Sequence, residues 1–398
     1  MPSPKHKPLL RWSLPLLATL SLAGCSLFGG EEDVVVMDPV PQVQAQFSAK
    51  TLWKHSVGDG VGKYYSQLAP VIADDRLFAA ARDGQVVALD KHDGKLLWKQ
   101  DLSDLPINDN RRSPRLAGGL TASYEHLFVG SENGVLYCLS QETGELLWQS
   151  EVAGEILAAP AVDDGKVVVN TSAGKLFALD ADDGHLLWSA SDDLPKLTLR
   201  GVSRPVITSG GVLYGRADGR LNVLLLENGQ LAHIAKVANP TGSTELARMV
   251  DVDAAPLVIG NELFAIAYNG ELVAQKLISG DELWKRRYAS YQDLAFGLID
   301  LLLTDSKGHV YSVDRTNGRE RWTNGQLSYR NVTAPVVFGD YVLVGDGEGY
   351  LYWLSDDDGQ IVAMQKYDSD GLYVPPLVDG DTVYLQTRSG DLVALQHP

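Results

Sequence analysis

Apolar residues along this chain fall in short runs broken by Asp-Gly and similar turns, not in the three-and-four spacing of a helical stripe. Gly84-Gln-Val-Val-Ala-Leu-Asp90 is followed by Gly94-Lys-Leu-Leu-Trp98, and much the same phrase returns from Gly134 to Trp148 and from Gly174 to Trp188. Paired glycines at 84/94, 134/144, 174/184, 219/229, 270/280, 308/318 and 349/359 stand ten residues apart each time, while successive repeats are 38 to 51 residues apart. Each repeat reads as four strands: a short one after a proline such as Pro160, an apolar one such as residues 166–170, and two flanking the second glycine. The alternation of Leu176, Ala178 and Asp180 predicts half-buried antiparallel strands. An eighth copy begins at Pro376 and passes Gly390 to Leu395, but the chain ends before its last strand. Thr51-Leu-Trp-Lys54 matches the phrase around Trp98, so the N-terminal segment supplies that strand. Four strands in each period of about 40 to 45 residues predict an all-β fold, an eight-bladed β-propeller of four-stranded antiparallel blades, closed by the N-terminal strand.

The repeated residue types have separate physical reasons. Glycine at the turns allows positive φ at little steric cost, and Asp-Gly or Asn-Gly suits tight turns that match strand twist. Trp53, Trp98, Trp148, Trp188, Trp284 and Trp322 share one slot on the outer strand. There an indole can fill the gap between blades while its N–H finds a backbone carbonyl. His233 and Ala363 occupy that slot in blades 4 and 7, which predicts altered packing at those junctions. Cys138 stands where other repeats have Ala or Ser and reads as a small buried strand residue, not a nucleophile.

With 34 basic against 51 acidic side chains, the net charge of −17 argues against a nucleic-acid binder. The N-terminus differs from the rest in carrying Lys5, Lys7 and Arg11 before an apolar stretch from Trp12 to Leu20, which reads as a signal peptide over residues 1–24. That stretch is shorter than the roughly 20 residues that span a bilayer, and Pro15 interrupts it. Leu22-Ala-Gly-Cys25 resembles the lipobox of bacterial lipoproteins, and the resemblance implies that Cys25 is acylated and becomes the new N-terminus. Ser26 in second place implies sorting to the outer membrane. Residues 25–46, with Gly29-Gly30, three acidic residues at 31–33, Pro39 and Pro41, read as the lipidated cysteine and a flexible tether, and residues 47–398 as the propeller.

The phrase Ala88-x-Asp90-x-x-x-Gly94-x-x-x-Trp98 resembles the tryptophan-docking repeat of pyrroloquinoline-quinone dehydrogenases, but the adjacent cysteine pair that many of those enzymes use is missing. Lipobox, tether and eight such blades together resemble the BamB family of outer-membrane barrel-assembly lipoproteins, as do Leu197-Thr-Leu-Arg-Gly201 and the segment from Thr241 through Asp253. That resemblance implies a non-enzymatic scaffold that sits in the periplasm on a lipid anchor. Its partners would be a POTRA domain of the barrel protein BamA, the other Bam lipoproteins and unfolded client strands met by edge pairing. It also implies partner-binding roles for Leu197, Leu199, Arg200, Asp251 and Asp253, the leucines as apolar anchors and the charged residues as directional pairs.

Blade topology points to the same face. The turn between second and third strands and the crossing to the next blade share one side, and all variation in length falls in the crossings, longest at residues 99–113, 189–204 and 234–255. The last two flank blade 4, so Arg200 could also brace Asp251 or Asp253 of the neighbouring loop. Rival readings are a quinone-dependent periplasmic dehydrogenase and a carbohydrate or cell-wall binder using Tyr64-Tyr65 and the Tyr288–Tyr291 group. Asp-rich turns such as Asp182-Asp183-Gly184 are read as turn chemistry, and no two histidines have zinc-ligand spacing, so neither metal nor cofactor is expected.

Overall fold

Residues 1–3, 35–104 and 113–397 are described by the computed structural model. Cys25, most of the signal and tether segments, and residues 105–112 of the first long crossing lie outside them. The described residues of Met1–Val36 carry no regular structure, and Met37–Pro398 form one compact unit.

That unit is a ring of eight four-stranded antiparallel sheets. The predicted closure is present: Lys50–Ser56 pairs with Asp391–Gln396, with Trp53 opposite Ala394. Among the described residues there is no single central core. Eight apolar clusters each lie between two successive blades, as where Phe78 and Ala88 of blade 1 meet Leu127 and Val129 of blade 2. This corrects the half-buried strand expectation, since Leu176, Phe177, Ala178 and Leu179 are all buried. A middle strand has a neighbouring blade on each face, so both of its faces are apolar.

The indoles close the junctions by one rule. Trp53, Trp98, Trp148, Trp188, Trp284 and Trp322 donate Nε1–H to the carbonyls of Lys91, Gln141, Ala181, Leu226, Arg315 and Asp356 at 2.7 to 3.2 Å. Each acceptor lies three residues before a second glycine of the next blade. Directly opposite each indole in its own sheet stands a small residue: Ala394, Ala88, Cys138, Ala178, Ala274 or Ser312. Cys138 is therefore fully buried, and burial first, with the charge of Asp182 second, pushes its thiol up to about 12, which leaves it inert at neutral pH. Blade 7 inverts the pair, Trp353 facing Ala363, so the ring has moved one strand inward.

Phe47 packs edge-on against Trp353 and Tyr341, both at 5.4 Å. The preceding residues corrects the extent of the tether. Asp38 N–H donates to the Ser328 carbonyl at 3.0 Å, Gln46 N–H donates to that of Val362 at 2.8 Å, and Val43 joins the cluster between blades 6 and 7. The glycines and acidic residues that suggested flexibility stop at residue 33; Val35, Val36 and Met37 are still exposed, and Val43 and Phe47 find partial burial.

Candidate functional site

Crossings and second-to-third-strand turns meet on one face, tied by backbone hydrogen bonds such as Val152 N–H to the Gly134 carbonyl and Val237 N–H to that of Gly219. On this face the two crossings beside blade 4 touch. Leu199 N–H donates to Asp251 Oδ1 at 2.9 Å, and Val252 N–H donates to the Arg216 carbonyl at 3.0 Å. Between them opens a cleft of about 310 Å³, whose lining includes Leu199, Arg200, Tyr214, Arg216, Asp251 and Asp253.

All five predicted residues thus share one neighbourhood, but their roles divide. Leu197 is 43% exposed and Arg200 is exposed, whereas Leu199 is partly buried. Asp251 is only 1% exposed, so it is no outward charge. Its Oδ1 holds the neighbouring loop and its Oδ2 has no hydrogen-bond partner. Arg200 braces neither aspartate. Its Nη2 lies 3.3 Å from both Glu132 Oε1 and Glu155 Oε1, and Glu132 also pairs with Arg82 at 2.6 Å. A charge chain therefore runs from the turn of blade 1 across blades 2 and 3 to the loop before blade 4. Composition hid this chain, but Arg82-Asp83-Gly84 and Glu132-Asn133-Gly134 are second-to-third-strand turns, and topology alone assigns them to the same face. Asp192 anchors the loop's start, accepting from Tyr214 Oη at 2.7 Å and Asn222 Nδ2 at 3.0 Å, with Arg216 at 3.2 Å.

Burial raises the pKa of Asp251, against the lowering effect of the Leu199 N–H. Burial first and the Asp251 charge second push Asp253 from 3.8 up to about 7. The folded state thus keeps a proton that the unfolded chain loses above its ordinary value, and stability falls as pH rises from about 4 through about 7. Asp253→Asn is expected to remove this slope and raise the unfolding free energy near pH 8 by on the order of 1–3 kcal/mol, with less gain near pH 5. Urea denaturation at the two pH values checks this; equal gains would show that the carboxylate charge is not the cause.

The sequence model of a family described as outer membrane protein assembly factor BamB matches residues 40–112 and 106–324. The chain is 42% identical to the assembly factor BamB of Yersinia pestis over 95% of its own length and 97% of the relative's. It is 48% identical to that of Vibrio cholerae serotype O1, covering 94% of this chain and 95% of the relative. The crystal structure of BamB from Moraxella catarrhalis superposes with a TM-score of 0.79 at 25% identity, over 88% of this chain and all of that one. A quinohemoprotein alcohol dehydrogenase from Comamonas testosteroni shares the fold alone, with a TM-score of 0.69 at 12% identity over 87% of this chain and 76% of that one. With relatives of this similarity matched nearly end to end, the chain belongs to the BamB family of outer membrane protein assembly factors.

Proposed function

We propose that this chain is a non-enzymatic scaffold lipoprotein of barrel assembly, anchored to the outer membrane through Cys25 with its propeller in the periplasm. Its blade-4 loops hold a POTRA domain of BamA within a complex of Bam lipoproteins and so aid folding and insertion of outer-membrane proteins. The supporting observation is the pinning of two long crossings by the Leu199–Asp251 hydrogen bond, which sets Leu197 and Arg200 on one rigid, exposed surface. Leu197 and the partly exposed Leu199 offer apolar anchors, and Arg200 offers a directional cation. Asp251 serves as an internal brace of that surface. A quinone enzyme is not supported by the sequence, in which Cys25 and Cys138 are the only cysteines and no adjacent pair exists.

Arg200→Glu places a third carboxylate beside Glu132 and Glu155 and reverses the presented charge. Purification of the lipoprotein from detergent-solubilised membranes is expected to bring down a POTRA-bearing barrel protein, and the variant to bring down at least about tenfold less, with its β-sheet circular dichroism unchanged. Equal recovery with both proteins would remove Arg200 from the interface, and a wild type that emerges alone would overturn the scaffold reading.

A further inference from the structure

Six blade junctions are closed by an indole of the outer strand, and the junction of blades 7 and 8 is filled by Trp353 with Phe47 and His397. The junction of blades 4 and 5 is different. The receiving half is in place: Gly280 has φ +71°, and Leu277, three residues before it, occupies the position whose carbonyl accepts an indole N–H elsewhere. The giving half is His233, exposed, whose smaller ring lies over Gly280 with Nε2 2.7 Å from where a Cβ would stand, and among the described residues no side chain donates to the Leu277 carbonyl. What remains is a groove of about 320 Å³, walled by His233, Ala235 and Val237 on one side and by Val273, Gln275 and Glu282 on the other. Small-molecule pockets begin at roughly this size, which suits one large side chain better than an extended ligand.

The groove adjoins a free sheet edge. Leu231–Lys236 is the outermost strand of its sheet, so its outward backbone groups are open to another strand except at its end, where the Lys236 carbonyl accepts from Gln275 Nε2 at 3.2 Å. Leu231 and Ile234 on that strand, and Ile278 in the turn before Gly280, are exposed apolar residues. The same strand leads directly into the crossing that carries Arg248, Asp251 and Asp253, so edge, groove and loop patch are continuous along the chain.

We propose that the junction of blades 4 and 5 is a binding site for an extended chain segment bearing a tryptophan, which pairs along Leu231–Lys236 and places its indole beside Gly280 in the groove. The free edge selects an extended backbone. The six filled junctions show which side chain this repeat accommodates, and the indole N–H would meet the Leu277 carbonyl after turning His233 aside. Outer-membrane strands fit this chemistry, because they alternate apolar residues and carry aromatic girdles at both ends. Identifying the segment as such a strand rests on the assembly reading above; the pocket chemistry does not.

The test uses the full-length protein and a fluorescent ten-residue peptide of alternating Thr and Val with one Trp, beside the same peptide with Ala in its place. The Trp peptide is expected to bind about tenfold more tightly, and His233→Trp, which fills the groove from within, to bring it down to the Ala peptide's level. Equal binding of the two peptides to the wild type overturns the proposal, and so does a His233→Trp protein that binds the Trp peptide undiminished. The peptide comparison needs no variant to fold. A wild type that retains the barrel protein from membranes yet treats both peptides alike sinks the groove site and leaves the assembly reading standing. A wild type that prefers the Trp peptide but retains no barrel protein supports the groove site and counts against assembly.

Discussion

Replacing Arg330 by methionine is expected to lower the unfolding free energy by about 3–5 kcal/mol, because it strands the buried Asp346 carboxylate without a cation. Arg330 lies in the crossing from blade 6 to blade 7 and is fully buried. Its Nε donates to Asp346 Oδ2 at 2.8 Å, its Nη1 to the Asp38 carbonyl at 2.7 Å, and its Nη2 to Glu348 Oε2. Asp346 is fully buried too and also accepts from Tyr352 Oη at 2.8 Å. Methionine keeps much of the volume, so the loss is electrostatic more than steric, and Arg330→Met with Asp346→Asn should recover part of it. The guanidinium also holds the chain where it joins the propeller, so the single variant should become sensitive to protease between Met37 and Gln46. Denaturant titration and limited proteolysis read the two effects. A loss below about 1 kcal/mol would mean that the network contributes no more than packing.

The legible part of this molecule was whatever local geometry repeats. A hairpin of fixed length keeps each pair of glycines ten residues apart, so blade number and ring closure through Thr51–Lys54 could be read from spacing alone. Ala363 looked like a bare loss of the docking ring. Only the strand register shows that Trp353, directly opposite, carries the ring from the neighbouring strand. Arg330 belongs to no repeat, and one of its partners, Asp38, is 292 residues away, so nothing near it in sequence announces a buried cation. The five loop residues were brought to one place by topology, yet residue type does not encode burial: Asp251 and Arg200 are both charged, one closed in and one open. Family resemblance could point to these positions but could not divide them into buried and exposed.

Gly229→Ala should cost about 2–4 kcal/mol, and most of that cost should depend on Trp188. Gly229 has φ +71°, a conformation costing a residue with a Cβ roughly 1–2 kcal/mol. The added methyl would also stand 2.5 Å from Trp188 Cε3. The indole cannot retreat, since it is 9% exposed, packed in the cluster with Ala178, Val212 and Leu224, and held by its N–H to the Leu226 carbonyl at 2.9 Å. Trp188→Ala alone should cost about 3–5 kcal/mol through the cavity it leaves. In that background the collision is gone, and Gly229→Ala should cost only the backbone strain, giving a favourable coupling of about 1–2 kcal/mol in the double-mutant cycle. Gly280→Ala provides the control from the open junction. It has the same φ of +71°, but its methyl would meet the end of the exposed His233 ring, which can swing out. Gly280→Ala should therefore cost what Gly229→Ala costs once Trp188 is gone. If the two glycine variants prove equally costly in the otherwise unaltered protein, the indole is not what restricts position 229, and backbone conformation alone requires glycine there.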